Sequence, residues 1–382
     1  MSNREAKSPE KWLLAPYAMR TADSAGRIHE ESPHPYRNAY QRDRDRIVHS
    51  SAFRRLAHKT QVFLGTMGDY HRSRLTHTLE VTSIARTVGR TLRLNEDLIE
   101  PLALMHDIGH PPFGHAGEDV LNECLAEHGG FDHNAQALRI VELLERRYPK
   151  FPGLNLTREV LSGQGCRANK KSQTPEATSK QPLLEVQVVD AADNVAYDAH
   201  DPDDAIEMGL ISLAELEESH LWREATKKAK ERFAALDAHD TRRAVVHGVI
   251  DLLVGDLISA SAERIREHDP QSSGEVQSLS FPLVQGSREM LEQQAELEAL
   301  LFEQVYRHPQ VLAQRERAQQ TLHSTFDAIV HGNRTLPQES QALVESEGIQ
   351  RVAGDYLASL TDRSALELTT TNVPVATVGT GE

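Results

Sequence analysis

Between Leu104 and Glu118 a helical run meets Gly109, Pro111, Pro112 and Gly114 within six residues. No regular element passes through such a stretch. Proline fixes φ and removes a backbone donor, and glycine admits turns that other residues resist. The chain must therefore stop one helix, turn, and begin another. That turn also holds His106, Asp107, His110, His115 and Glu118. His106 and Asp107 are neighbours, so on a regular helix their side chains point about 100° apart. Both reach one ion only if it sits beside a helix end, which is where the glycine and the prolines put them. A His-Asp pair by itself is ordinarily a hydrogen-bonded or solvated pair, so the rest of the chain has to supply more.

On either side the pattern is helical. From Tyr36 onward Phe53, Leu56 and Ala57 recur at helical spacing, and after a turn at 65–70 Leu75, Leu79, Thr82 and Ala85 share a face. Asn95 reads as an N-cap, with Glu96 and Asp97 in the first turn and Pro101 as a kink. Gly109, Pro111 and Pro112 end that helix. Further helices are expected over 131–147, 155–163, 184–197, 213–236, 242–266 and 287–307, with 269–286 irregular. No strand–glycine loop–helix signature of a P-loop or Rossmann site occurs. The expected organisation is an arm over 1–35, a catalytic core over 36–210 with a mobile polar loop at 167–181, a helical C-terminal part over 211–368 packed on it, and a disordered tail over 369–382.

Composition excludes several classes. The net charge of -15 argues against nucleic acid as the main partner. A small anionic ligand is still allowed, because nine Lys or Arg lie between Arg37 and Arg74, opposed only by Asp43, Asp45 and Asp69. Arg74 is the best placed of them for a phosphate, one turn from His77. Arg42, Arg44 and Arg46 alternate with Asp43 and Asp45 and read as surface ion pairs. Two cysteines, Cys124 and Cys166, make neither a disulfide framework nor a thiolate zinc site. No apolar run approaches the ~18 residues of a membrane span, and the first residues lack a secretory pattern. A cytoplasmic location is expected.

Nineteen histidines point to nitrogen ligands or acid–base groups. His77 stands on an earlier helix, and Asp190 and Asp193 on a later one. Two imidazoles and two carboxylates (His77, His106, Asp107 and Asp193) would suit one divalent ion such as Mn, Mg, Fe, Co or Ni. Asp190 is the rival of Asp193. Asp193 is favoured because Tyr197 and Asp201 follow it at i+4 and i+8, on one stripe.

The stretch Leu104–Glu118 resembles the HD superfamily and, within it, the deoxynucleoside triphosphate triphosphohydrolases. The resemblance continues in order through Ser51–Leu56, Lys59–Phe63, Arg72–His77, Phe131–Gln136, Leu156–Val160 and Val305–Pro309. It implies an all-α HD-domain core with additional C-terminal helices. It implies His77, His106, Asp107 and Asp193 as metal ligands, with His115 and Glu118 at the scissile bond. His110, on the phosphate side, counts with the catalytic groups, and His133 with those that bind substrate. Tyr197 and Asp201 would hold the sugar and its 3′-hydroxyl, Gln61 would contact the sugar, and Val62 would crowd its 2′ side. Homo-oligomerisation and a dNTP effector are further implications.

Tyr197, read first as a substrate contact, has a core tyrosine as its alternative, and Asp201, before Pro202, could be a helix-end cap. Pro101, the length of loop 167–181 and the tail after Leu368 depart from the family pattern, and none of them removes a ligand. The expected reaction is metal-dependent hydrolysis of a dNTP to a deoxynucleoside and inorganic triphosphate. The alternatives are an HD phosphohydrolase for monophosphates or cyclic nucleotides, and a non-catalytic dNTP-binding regulator.

Overall fold

The computed structural model describes residues 10–63, 72–169, 180–233 and 236–370. Among them are eighteen α-helices and no β-strand. Three helices form the scaffold of the site: Arg74–Thr91, Glu96–Met105 and Leu184–Glu207, each packed on the other two. Their inner faces join one core through Val81, Ala85 and Val88, through Leu98, Leu102 and Met105, and through Val188, Val189, Ala192 and Val195. Burying each Leu or Val stabilises the fold by about 1.5–3 kcal/mol before chain entropy is counted. A second cluster lies on the far side of the 104–118 turn. There Phe113, Leu121 and Leu125 pack with Leu322 and Phe326 of helix Pro309–Val330 and with Val352 and Leu357 of helix Ile349–Ala358.

Local chemistry sets where the site helices begin. The Ser73 hydroxyl accepts from Thr76 N–H at 3.3 Å, the Asn95 side chain from Asp97 N–H at 3.1 Å, and Asp132 from both Asn134 and Ala135. Each such cap is worth about 1 kcal/mol. Helix Gly114–Cys124 begins differently. Phe113 (φ 66°) and Gly114 (φ 58°) are both left-handed, and Phe113 makes no side-chain cap.

Several expectations need correction. Helix Glu96–Met105 tolerates Pro101 and ends at Met105, ahead of Gly109, with His106 as its C-cap. On Arg74–Thr91, Leu79 is 51% exposed; the inward face runs through Arg74, His77, Thr78, Val81, Ala85 and Val88. Polar side chains needed at the site displaced the apolar face from where periodicity put it. The helix expected over 184–197 continues through Pro202 to Glu207, so Asp201 is not a helix-end cap. Arg167–Asn169 belong to helix Arg158–Asn169; residues 170–179 of the expected loop lie outside the described residues, as does the whole of the turn expected at 65–70. Residues 369 and 370 end helix Asp362–Thr370, and the remainder of the tail lies outside the described residues.

The arm holds a short helix, Glu10–Leu13, and a 3-10 turn, Thr21–Asp23. It is tied down by buried polar groups. Glu185 accepts from Met19 N–H at 2.9 Å, Arg46 pairs with Glu31 at 2.6 Å, and Arg27 pairs with Asp43. Asp43 and Arg46 are thus buried anchors and not surface ion pairs; Arg44 and Arg37 do pair with Asp45 near the surface. Helix Ala238–His268 is long and apolar enough to cross a membrane by length and composition. The count of unbroken apolar runs missed it because Asp251 and Asp256 interrupt the stretch. Its Val245, Val249, Leu253 and Leu257 pack into the protein core.

Candidate active site

Three helices converge on one group of side chains. His77 comes from the first turn of Arg74–Thr91, His106 and Asp107 from the end of Glu96–Met105, and Asp193 from the middle of Leu184–Glu207. His77 Nε2 lies 3.0 Å from Asp193 Oδ1, and His106 Nε2 lies 3.6 Å from the same oxygen and 3.8 Å from Asp107 Oδ1. Ligand atoms of His77, His106 and Asp107 all fall within 4.8 Å of one another. Asp190 is turned to other work, since Arg167 Nε lies 2.6 Å from its Oδ1.

The tautomer of His106 tests whether a cation fits. Its Nδ1 is 2.6 Å from the Ala103 carbonyl, which can only accept, so Nδ1 carries the proton. Burial lowers the His106 pKa, leaving Nε2 a lone pair. That lone pair is buried, has no hydrogen-bond partner, and has carboxylate oxygens of Asp107 and Asp193 as close neighbours. An acceptor beside two anions is unfavourable unless a positive charge stands between them. The donor set of two imidazoles and two carboxylates suits a divalent cation.

Asp107 is almost fully buried. Burial alone would push its carboxyl up, but Arg74, His110 and His106 together hold it well below the usual carboxylate range. Arg74 Nη1 is 2.8 Å from Asp107 Oδ2, and Nη2 donates to the Gln61 carbonyl at 3.2 Å. Arg74 is itself 1% exposed and braces both Asp107 and the Gln61 backbone. Burial likewise opposes ionisation of Asp193, which His106 and His77 reverse, holding it below its ordinary value.

Beyond Asp107 the turn delivers a second cluster. His110 Nδ1 lies 2.8 Å from Asp107 Oδ1, and its ring stacks on His133 at 3.8 Å between centroids. Glu118 is the hub: it lies 3.3 Å from His115 Nδ1 and 3.0 Å from His133 Nδ1. Burial would raise the Glu118 carboxyl; His115 and His133 hold it far below the usual range. Sequence spacing pairs Glu118 with His115 alone, and its link to His133, fifteen residues on, is tertiary. The His115 side chain is 76% exposed, the most open of the group. Asn134 Nδ2 donates to His133 Nε2 at 3.0 Å and is fixed by Gln164 at 2.9 Å. That leaves the Nδ1 proton of His133 for Glu118.

Gly109 makes this stacking possible. A Cβ there would sit 1.9 Å from the His133 carbonyl oxygen and 2.5 Å from Ala137 N. Gly109→Ala is expected to push helix His133–Arg139 away, costing about 1–3 kcal/mol of stability through overpacking. A thermal melt and a hydrolysis assay check this together: the melting temperature and the rate should both fall. An unchanged melt would mean that the helix shifts without penalty.

The residues read as sugar contacts meet at a further element. Asp201 is 2% exposed and accepts from the Tyr306 hydroxyl at 2.8 Å, and burial pushes its carboxyl up to about 6. The Tyr306 ring lies between Tyr197 and Phe63, each centroid 6.3 Å away. Gln61, two residues before Phe63, has its Oε1 buried without a hydrogen-bond partner. Tyr306, at the end of the π-helical turn Phe302–Tyr306, thereby joins 61–63 to the 197–201 stripe. Its block was noticed in the sequence, but its role could not be read from spacing. Lys59, Arg167 and Asp362 were also missed; each acts through partners distant in sequence.

Known proteins match this chain over most of its length. Residues 74–198 match the HD domain, and 284–371 match the phosphohydrolase-associated domain. A deoxyguanosinetriphosphate triphosphohydrolase-like protein of Thiobacillus denitrificans is 42% identical over 92% of this chain and 95% of its own length. Proteins of the same name from Geobacter sulfurreducens (41%, covering 94% and 95%) and Leptospira interrogans (39%, covering 93% and 95%) are similar throughout. The chain belongs to the deoxyguanosinetriphosphate triphosphohydrolase-like family. Membership makes it an HD-domain phosphohydrolase. HD domains bind divalent metals, and the first cluster brings together histidine and carboxylate ligand atoms that could hold one. The HD match runs from Arg74 to Asp198, so it spans both clusters. Tyr306 and Asp362 fall in the associated domain.

Proposed function

We propose that this phosphohydrolase cleaves a deoxynucleoside triphosphate to the deoxynucleoside and inorganic triphosphate. The observation that carries the reading is the buried His106 lone pair facing two carboxylates, set beside the His115–Glu118–His133 group. It stands in a chain whose relatives are named deoxyguanosinetriphosphate triphosphohydrolase-like proteins. His77, His106, Asp107 and Asp193 would hold one divalent ion, which when bound supplies Lewis-acid stabilisation of charge on a phosphate oxygen.

The remaining steps belong to side chains of this chain. A water attacks the α-phosphorus, the bond to the 5′-oxygen breaks, and that oxygen takes up a proton as it leaves. His115, exposed toward solvent and tethered to Glu118, handles the proton at the 5′-oxygen or at the water. His110 and His133 stand on the phosphate side, and Arg74 keeps Asp107 ionised while fixing the strand of chain that holds Gln61. Asp201, oriented by Tyr306, receives the sugar 3′-hydroxyl, with Tyr197 along the same helix and the Gln61 Oε1 free to accept from the sugar. Val62 limits room on the 2′ side. The chain would act as a homo-oligomer in the cytoplasm, and a dNTP could serve as effector as well as substrate.

The test is a turnover screen of all four dNTPs, singly and mixed, with Mn²⁺ and Mg²⁺, reading released triphosphate. Triphosphate from at least one dNTP is expected. Release of orthophosphate from monophosphates, or opening of cyclic nucleotides, would replace the reading. The sugar assignment predicts that GTP is poorer than dGTP by on the order of 10²-fold in kcat/KM. Equal rates with the two would remove it.

A further inference from the structure

The turn between Asp107 and His115 is strained and does not hold itself. Phe113 is a bulky residue in the left-handed region (φ 66°), followed by a left-handed Gly114. Such backbone is costly for a residue with a side chain and persists only where its surroundings over-determine it. The residues that hold it are remote from it in sequence, most of them near the far end of the chain. Asp362 Oδ1 accepts from Phe113 N–H at 2.9 Å, and its Oδ2 accepts from Thr60 N–H at 2.8 Å. Lys59 Nζ donates to the His110 carbonyl at 2.6 Å and to the Ala358 carbonyl at 2.8 Å. The Phe113 ring is buried with Leu322, Phe326 and Val352.

Two short segments of the candidate site are thereby bolted to residues 358–362. One is 59–61, whose Gln61 faces the sugar side. The other is 110–113, which leads from the metal side to His115. Lys59 is 3% exposed, and burial pushes its pKa down to about 7. Burying a lysine for the sake of two carbonyls is costly unless those carbonyls need fixing.

We infer that Asp362 and Lys59 form a bracket through which the phosphohydrolase-associated region positions the His110–His115 turn against the metal-side cluster. Asp362 is a positioning residue acting through the Phe113 and Thr60 backbone. This deepens the reading of His115 given above and rests on it for its effect on rate. The bracket itself does not depend on which substrate is cleaved.

Asp362→Ala tests it with two readouts on the full chain. Hydrogen exchange should rise in 59–63 and 110–115, while exchange in Leu184–Glu207 stays unchanged. Turnover should fall in kcat by about 10–10²-fold, the scale of an acid displaced by an ångström, with KM within a few-fold and metal content as in wild type. Asp362→Asn, which keeps an acceptor for one of the two N–H groups, should be intermediate on both scales. Unchanged exchange in 110–115 would overturn the bracket whatever the activity. Raised exchange with kcat within two-fold of wild type would overturn its role in positioning, as would a kcat loss that tracks lost metal or a general loss of protection. Should wild type release no triphosphate from any dNTP, the function proposed above fails, and the exchange result still decides the bracket.

Discussion

Asp107→Ala is expected to lose its metal and fall to background turnover. The substitution deletes an anionic donor from a group of four and leaves His106 Nε2 with Asp193 as its remaining carboxylate neighbour. It also strands Arg74, which is 1% exposed and has Asp107 as its ion-pair partner at 2.8 Å. An uncompensated buried cation costs about 3–5 kcal/mol, so this variant should melt earlier as well. Asp107→Asn separates the two effects. It keeps an oxygen for the Arg74 N–H while removing the charge, so it should stay folded and still lose metal. Asp193→Ala should behave as Asp107→Asn does. Asp190→Ala should keep its metal, because Asp190 is paired to Arg167. Metal analysis of the purified variants reads all four. Full occupancy in Asp107→Asn with a near-normal rate would sink the assignment of this cluster as the metal site.

His115→Ala should retain metal and fold, because its side chain is 76% exposed and lies outside the first cluster. It should nevertheless lose about 10²–10⁴ in rate, the usual scale for a positioned acid or base. Spacing alone makes Glu118 an aid to His115, worth less than the imidazole itself. The structure changes that expectation, since Glu118 also holds His133 at 3.0 Å, and His133 stacks on His110. Glu118→Gln should therefore fall as far as His115→Ala. The double variant should be little worse than either, as groups acting in one unit are not multiplicative. Metal loss in His115→Ala, or activity within a few-fold of wild type, would send the search for the acid to His110 or His133. Simple multiplication of the two defects would mean that the pair does not work as a unit.

Much of the site was legible because its information is local. Gly109, Pro111, Pro112 and Gly114 force a turn, a cap at Asn95 marks a helix start, and i, i+3 spacing pairs His115 with Glu118. Helix Leu184–Glu207 keeps Asp193, Tyr197 and Asp201 on one stripe by its period alone. Local reading also misled where polar function competes with apolar pattern. Leu79 looked inward and is exposed, because Arg74 and His77 occupy the inner face. Asp43 and Arg46 looked like solvated charges and are buried anchors for the arm, since each has a partner from another part of the chain.

The sequence by itself determined the all-helical class, the position of the chemical turn and the residue types able to hold a cation. Those properties follow from backbone stereochemistry, helical period and side-chain chemistry, which act over a few residues. Only the tertiary structure decided which carboxylate faces His77, what else Glu118 holds, and how the turn is kept in place. The contacts that decide these points join residues 116 apart for His77 and Asp193, 105 apart for Asp201 and Tyr306, and 302 apart for Thr60 and Asp362. No periodicity or cap encodes pairings at such distances. They arise when helices pack ridge against groove and bring remote side chains within hydrogen-bond reach.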